Sequence, residues 1–299
     1  MQNPNVDIGT YGIWTGALDA QPSGLARDCA AEIEELGFGA LWIPETIFRE
    51  PFVHSSFLLE ATSSLVVATG IVNRYGRDPL TCNAGMQTLN EAYPGRFLLG
   101  LGVSHAHLVT GVRKLDWSKP YTGMVEYLDR MEESLFFAPM GDPPAQMVLA
   151  ALGPKMLRLA AERTAGAHPY FVPPEHTVIA REAMGPEPLL AVEQMVVFDT
   201  DPLSARATAR ANMAIYLGLP NYANNLLRLG FTEDDVADGG SDRLVDAIVA
   251  WGTMDDALAR IQAHLDAGAD HVCVQVLGDN QLFLPRTEWR DLAAALNLN

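Results

Sequence analysis

The chain has 299 residues, of which 48% are hydrophobic and 19% are charged, which is enough for one large core. Its 20 Lys and Arg residues against 37 Asp and Glu residues give a formal net charge of −17, and so acidic a surface repels nucleic-acid phosphates and anionic lipids. We therefore expect neither nucleic-acid nor membrane-surface binding, and any anionic ligand must meet positive groups that are placed locally.

The first hundred residues alternate short apolar strands with helices. Strands are predicted at residues 6–14, 39–43, 65–69 and 97–101. Helices are predicted between them at residues 23–36, 54–63 and 79–93. The last of these strands, Phe97 to Leu101, has no polar alternation, which is typical of a parallel strand covered on both faces.

The same alternation continues in the second half of the chain. Strands are predicted at residues 147–151, 167–172, 189–198 and 271–277. Helices are predicted at residues 121–137, 153–163, 202–217, 254–267 and 289–296. Residues 218–241, rich in Asn, Gly and Asp, are predicted to form a loop-like insertion before the last helix–strand unit, long enough to cover a site.

About eight strands alternating with helices predict an α/β fold of the (β/α)8, TIM-barrel type, with residues 1–299 as a single domain. The doubly wound alternative needs a glycine fingerprint after the first strand. Gly100-Leu101-Gly102 follows the fourth strand and lacks the third glycine, so a Rossmann fold is disfavoured.

The cellular setting is predicted from three features. The N-terminus has no basic region followed by an apolar core, so no signal peptide is expected. No apolar run is long enough to span a bilayer. Cys29, Cys82 and Cys273 form no metal or redox pattern and are interpreted as reduced core residues of a cytoplasmic protein.

The helix start Ala151-Leu152-Gly153-Pro154-Lys155 is the best physical candidate for a ligand site. Glycine allows a ligand to approach the backbone, and the free N–H groups of a first helical turn favour an anion. A lysine in that turn is unfavourable next to the positive end of the helix dipole, and a phosphate bound opposite the lysine would explain its presence. The alternative is an ordinary solvated lysine.

Other candidates follow the predicted strands. Gly70 interrupts a β-branched strand, which indicates a bulge, a close backbone approach or a simple turn. Glu45 is a candidate proton donor or acceptor, or a helix-capping carboxylate. His105 and His107, with His168 or His271, are a zinc alternative, but no acidic residue completes the set and we predict no metal.

Several stretches occur together in an order that is known from one family. They are Trp42-Ile43-Pro44-Glu45, Ala68-Thr69-Gly70-Ile71, Tyr93-Pro94-Gly95-Arg96-Phe97-Leu98-Leu99-Gly100-Leu101-Gly102, Ala151-Leu152-Gly153-Pro154-Lys155-Met156-Leu157 and Ala267-Gly268-Ala269-Asp270-His271-Val272. Over nearly the whole chain they resemble the luciferase-like (β/α)8 oxidoreductases, and within them the coenzyme F420-dependent branch of actinobacterial type. The resemblance implies a deazaflavin or flavin at the barrel mouth and a homodimer.

The resemblance also implies a set of cofactor-binding positions. A cis peptide at Gly70–Ile71 is expected to lie behind the ring, with Asn73 as a ring or ribityl contact. Ser104 and His105 are expected to contact the cofactor chain, and the phosphate site falls near the helix start at residues 153–155. The full predicted cofactor set is Thr69, Gly70, Ile71, Asn73, Ser104, His105, Ala151, Gly153, Pro154 and Lys155.

The function that the resemblance implies is hydride transfer between C5 of F420 and a small organic substrate. The sugar-phosphate dehydrogenases of the family have a catalytic histidine after the second strand, where this chain has Pro44-Glu45-Thr46. Glu45 and His105 are therefore the candidate catalytic residues. An FMN-dependent monooxygenase and a non-catalytic flavin- or deazaflavin-binding protein are the alternatives.

Overall fold

A computed structural model describes residues 7–280 and 282–298. Val6, in the first predicted strand, lies outside the described residues. The strands within them are β1 (Tyr11–Trp14), β2 (Ala40–Ile43), β3 (Val66–Thr69), β4 (Val72–Asn73), β5 (Phe97–Gly102), β6 (Gln146–Leu149), β7 (Gly166–Ala167), β8 (Leu189–Val197), β9 (Val249–Trp251) and β10 (His271–Val276).

The strands form a closed parallel barrel. Each strand in the order β1, β2, β3, β5, β6, β7, β8, β10 pairs with the next, and β10 also pairs with β1. β4 continues β3 after a two-residue interruption and pairs with β5, while β9 extends the sheet beside β8. The predicted eight-stranded barrel is therefore confirmed.

Helices connect the strands and cover the outside of the barrel. They are α1 (Ser23–Glu35), α2 (Pro51–Glu60), α3 (Pro79–Ala92), α4 (Pro120–Glu132), α5 (Pro154–Arg163), α6 (Pro174–Met184), α7 (Pro202–Leu217), α8 (Pro220–Arg228), α9 (Glu233–Val236), α10 (Asp242–Ile248), α11 (Met254–Asp266) and α12 (Arg286–Ala295). Short 3₁₀ helices lie at Ala17–Ala20 and Ala237–Gly239, and a π-helical turn at His107–Val112. No helix within the described ranges is long and apolar enough to cross a membrane.

The strands are buried on both faces because alternate residues serve two cores. Leu41 and Ile43 pack outward against the helices, whereas Ala40 and Trp42 pack inside the barrel. Continuous burial of β2, β3 and β5 is what their unbroken apolar runs predict. The three cysteines are buried and unpaired, as core residues should be.

Three local predictions were wrong. The insertion at residues 218–241 is largely helical, because Pro220 starts α8 and the buried side chains of Tyr222, Asn225 and Leu226 form one face. Helix α6 was not predicted, although it begins at Pro174 and proline is favoured at the first position of a helix. The sixth strand is shorter than the predicted 167–172.

Candidate active site

A cavity of about 530 Å³ opens at the carboxyl ends of the barrel strands, the end that carries the chemistry in TIM barrels. Its volume is in the range of cofactor and small-molecule sites. Six residues predicted from the sequence line it: Glu45, Gly70, Ile71, Asn73, Ser104 and His105. Five predicted residues lie outside its lining: Thr69, Ala151, Gly153, Pro154 and Lys155.

The interruption between β3 and β4 lies at Gly70–Ile71, whose peptide bond is cis, as the resemblance implied. The buried Thr69 hydroxyl donates to the Gly100 carbonyl and accepts from the Gly100 N–H, both at 2.9 Å. A side chain on Gly100 would collide with the Thr69 carbonyl, and one on Gly102 with the Ile71 side chain. These two glycines therefore let β5 approach the interruption closely.

Glu45 is held by two arginines and one backbone group. Its Oε1 accepts from Arg113 at 2.8 Å, and its Oε2 accepts from Arg77 at 3.0 Å and from the Asn73 N–H at 2.8 Å. Burial disfavours the charge of Arg77, but its bonds to Glu45 outweigh this effect and raise the pKa of Arg77. With both oxygens engaged, Glu45 is placed to position β4 and the two arginines.

Two buried polar atoms converge on Gly70 without a partner among residues 7–280 and 282–298. A Cβ on Gly70 would lie 2.5 Å from Trp14 Nε1 and 3.1 Å from His168 Nε2. His168 Nδ1 is 2.9 Å from the Ala191 carbonyl, which can only accept, so Nδ1 carries the proton and Nε2 is an acceptor. Burial lowers the pKa of His168 to about 4, so the ring is neutral near pH 7. One free donor and one free acceptor thus face the same part of the site.

Ser104 and His105 lie just beyond β5. Ser104 has a left-handed backbone with φ of 55°. His105 Nδ1 lies 3.1 Å from Asn221 Oδ1, and its ring centroid is 5.5 Å from that of Tyr222. Burial lowers the pKa of His105. His105 therefore connects the end of β5 to helix α8 of the insertion.

The histidines of the zinc alternative are not gathered into a ligand set. The ring centroids of His105 and His107 are 6.2 Å apart. His271 uses both nitrogens, since Nδ1 lies 2.7 Å from the Gly9 carbonyl and Nε2 accepts from Trp42 Nε1 at 3.1 Å. The part of the chain that the structure describes contains no group of three or more His, Cys, Asp or Glu side chains placed to hold a metal.

A tyrosine wall, formed by Tyr170, Tyr216 and Tyr222, closes the side of the cavity toward α7 and α8. The hydroxyls of Tyr170 and Tyr216 are 2.7 Å apart, and that of Tyr170 is 2.9 Å from Gln275 Oε1. Because the amide oxygen can only accept, Tyr170 donates to Gln275 and Tyr216 donates to Tyr170. Burial raises the pKa of Tyr216 to about 12, so this chain of hydroxyls stays protonated.

Asp19 is a site residue that the sequence did not single out. Among the residues that line the cavity, only Asp19 and Glu45 carry carboxylates. Asp19 Oδ1 lies 2.8 Å from His54 Nδ1, and both side chains are almost fully buried. Asp19 Oδ2 has no partner within the described ranges. Its position just after β1 was the one feature of the sequence that could have indicated a role in the site. No pattern along the chain predicts its contact with His54 on α2.

The predicted anion position lies beside the cavity. Gly153 is the N-cap of α5, Pro154 begins the helix, and no side chain caps its first turn. Lys155 is exposed and Ala151 is buried, while the adjacent Ala150 lines the cavity. The helix start is therefore at the same end of the barrel as the other candidate residues.

Comparison with known proteins assigns the family. The luciferase-like monooxygenase family matches residues 10–271, most of the chain. The chain belongs to this family. One relative is a putative coenzyme F420-dependent oxidoreductase of Mycobacterium tuberculosis, which is 23% identical, with 95% of this chain and 97% of that protein covered.

Two further proteins extend the comparison. The 5,10-methylenetetrahydromethanopterin reductase of Archaeoglobus fulgidus is 28% identical, with 80% of this chain and 85% of that protein covered. The solved structure of the coenzyme F420-dependent tetrahydromethanopterin reductase of Methanopyrus kandleri has a TM-score of 0.74 at 17% identity, covering 95% of this chain and 97% of that one. This structural similarity shows the shared barrel fold.

Proposed function

We propose that this protein is a coenzyme F420-dependent oxidoreductase that transfers a hydride between C5 of the deazaflavin and a small organic substrate. The name of the Mycobacterium tuberculosis relative supports the cofactor. The observation that carries the proposal for this chain is the unpaired donor of Trp14 and acceptor of His168 beside Gly70. A ring edge that presents carbonyl oxygens beside an N–H would satisfy both atoms.

The chain's own residues suit such a ring. Gly70 leaves the bulge free of a side chain, and the tyrosine wall closes the side of the cavity toward α7 and α8, excluding water. When bound, the deazaflavin supplies a hydride donor or acceptor, and the protein's part is to bind, orient and shield it. We assign Thr69, Gly70, Ile71 and Asn73 to the ring side, and Ser104, His105 and residues 151–155 to the cofactor's chain and phosphate.

Hydride removal from an alcohol carbon also releases the hydroxyl proton, which a side chain must accept. Glu45 has both oxygens engaged, so we assign it to positioning. We assign proton transfer to Asp19, whose Oδ1 lies 2.8 Å from Nδ1 of the buried His54. His105, whose Nε2 remains an acceptor when Nδ1 donates to Asn221, is the second candidate.

Separate fluorescence titrations with F420 and with FMN test this proposal. We expect tighter binding of F420, weakened about tenfold by Trp14→Phe because the variant keeps an aromatic ring, although a smaller one, and loses the indole donor. Tighter binding of FMN would instead support a monooxygenase, the activity in the family's description. Tight binding with no turnover on a panel of small alcohols, aldehydes and imines would indicate a non-catalytic binding protein.

The predicted homodimer and the cytoplasmic location remain proposals. Light scattering at micromolar concentration tests the homodimer, for which a mass of about twice 32.4 kDa is expected. A mass of one chain at all concentrations would refute it. Fractionation of cells that produce the protein tests the location.

A further inference from the structure

The opening of the cavity is apolar on three sides. Five large apolar side chains, each more than one-third exposed, line it and form an apolar mouth: Ile47, Phe48, Ile215, Leu282 and Phe283. The first two follow β2, Ile215 lies on α7, and the last two lie between β10 and α12. Large apolar side chains that are gathered in an exposed patch around a cavity are typical of a binding site.

The cations near the apolar mouth all have structural partners. No lysine or arginine lines the cavity in the part of the chain that the structure describes. Arg77 and Arg113 line a neighbouring groove instead, and both pair with Glu45. Arg49 donates from Nε to the Asp19 carbonyl at 3.1 Å and from Nη2 to a second backbone carbonyl. A negatively charged group that entered past the apolar mouth would therefore meet no free cation.

The polar groups inside the cavity also disfavour an anion. Asp19, to which we assign proton transfer, carries a charge of the same sign and would repel it. Burial lowers the pKa of His105 and of His168, and it raises the pKa of Tyr216 to about 12, so these three groups are neutral near pH 7. A hydroxyl or carbonyl oxygen can form hydrogen bonds with such neutral groups without needing a counter-ion.

We propose that the substrate is a neutral alcohol or carbonyl compound with an apolar body, which the apolar mouth holds while the oxygen lies inside the cavity. That this ligand is the substrate rests on the proposed function, whereas the binding preference does not. Each further methylene group buried at the mouth should tighten binding about fourfold. Sugar phosphates and carboxylic acids are excluded, because an ion that finds no partner loses its hydration without compensation.

A matched pair of ligands tests the charge preference. Calorimetry with the F420-loaded protein compares 4-methylbenzyl alcohol with 4-(hydroxymethyl)benzoate, in which a carboxylate replaces the methyl group. We expect binding of the carboxylate to be at least about a hundredfold weaker. In the series from ethanol to 1-hexanol, the affinity should rise about fourfold with each methylene group. Equal affinities within the pair, or no rise along the series, would overturn the proposal.

Substitutions at the apolar mouth test its role. Ile47→Ser and Phe48→Ser should raise KM for 1-hexanol about fivefold or more, with smaller effects on KM for ethanol and on kcat. Leu203→Ser is the matched control, because Leu203 is 81% exposed on α7 and lines neither the cavity nor the neighbouring groove. Ile47→Lys should tighten binding of the carboxylate, a gain that a misfolded variant cannot show. Equal KM values for Ile47→Ser and Leu203→Ser would contradict the proposal. A lower molecular mass of Ile47→Ser with an unchanged KM would also do so, and would assign the mouth to a subunit interface.

The reaction and the binding preference can fail separately. The calorimetric titrations are repeated with the protein free of cofactor. If the neutral ligands keep their advantage there but F420 supports no turnover, the proposed function is rejected and the ligand class stands. If F420 supports turnover of the carboxylate as fast as that of the neutral alcohol, the ligand class is rejected and the function stands.

Discussion

Replacing Glu45 separates a positioning role from a proton-transfer role. Removing one partner of a buried ion pair costs about 3–5 kcal/mol, because the remaining charge is left without compensation. Arg77 is about one-tenth exposed and keeps the exposed Glu50 as a partner, while Arg113 is about one-third exposed. Because both arginines keep some access to water or to another partner, we use the lower end of this range. We expect Glu45→Ala to lower the free energy of unfolding by about 3 kcal/mol.

For a chain of this size, each kcal/mol shifts the melting temperature by about 2 °C, so Glu45→Ala should melt about 6 °C lower. Glu45→Gln keeps one acceptor oxygen and should lose less. Glu50→Gln is the matched control, since it removes the other carboxylate charge from Arg77, a surface pair worth under about 1 kcal/mol, while keeping an acceptor oxygen for the Val53 N–H at the N-cap of α2. Calorimetry and urea unfolding measure all three variants.

A proton-transfer role for Glu45 would give a different result. A Glu45→Gln protein that melts with the wild type, binds F420 normally and has lost turnover would identify Glu45 as the proton-transfer residue. The expected pattern is the reverse, with stability and F420 affinity falling together and a residual turnover rate for the protein that remains folded.

Three further predictions concern buried groups. Gly70→Ala places a methyl group 2.5 Å from Trp14 Nε1, so it should weaken F420 binding about tenfold or more, whereas Gly24→Ala, with nothing within 4 Å, should not. Burial raises the pKa of Glu193 from 4.5 to about 8, so the folded protein keeps a proton that the unfolded chain releases, and stability falls between these pH values by up to about 1.4 kcal/mol per pH unit. Glu193→Gln should remove this decline, and parallel urea-midpoint profiles of variant and wild type between pH 5 and 8 would contradict the assignment. Burial lowers the pKa values of His168 and His271 from 6.5 to about 4, so the unfolded chain binds protons first and stability should be lost as the pH falls from 6.5 toward 4. Histidine signals of the folded protein that titrate near pH 6.5 for these two rings would refute this.

The barrel could be predicted because the residue types in its strands and in most of its helices match the burial of those elements in the fold. The run Phe97–Leu101 is apolar since both faces of β5 are covered, and β5 extends to Gly102. Helix α7 was predicted with both its ends, Pro202 and Leu217, because Asp201 caps it and a proline stands at its first position. The cis peptide at Gly70–Ile71 was expected only through the family resemblance.

The insertion and the site contacts were less predictable, for different physical reasons. Asn, Gly and Asp favour turns locally, but packing of Tyr222 and Leu226 onto the barrel mouth makes α8 a helix. The pairs Asp19–His54 and Glu45–Arg113 join separate connections of the barrel, and no spacing along the chain encodes such contacts. Only the fold brings them together.

The two sides of the cavity differ in net charge. On the β2–β4 side, Arg77 and Arg113 both pair with Glu45, and Arg77 also pairs with Glu50, so two carboxylates balance the two cations and that side offers an anion little net attraction. On the α5–α8 side, Lys155 and Arg228 have no acidic partner in the described chain, and the uncapped helix start adds partial positive charge. Distant carboxylates are screened over about 8 Å at physiological salt, so these near cations govern where an anion settles. For a ligand with a neutral ring and a phosphorylated chain we therefore expect one orientation, with its ring at Gly70 and its chain toward α5.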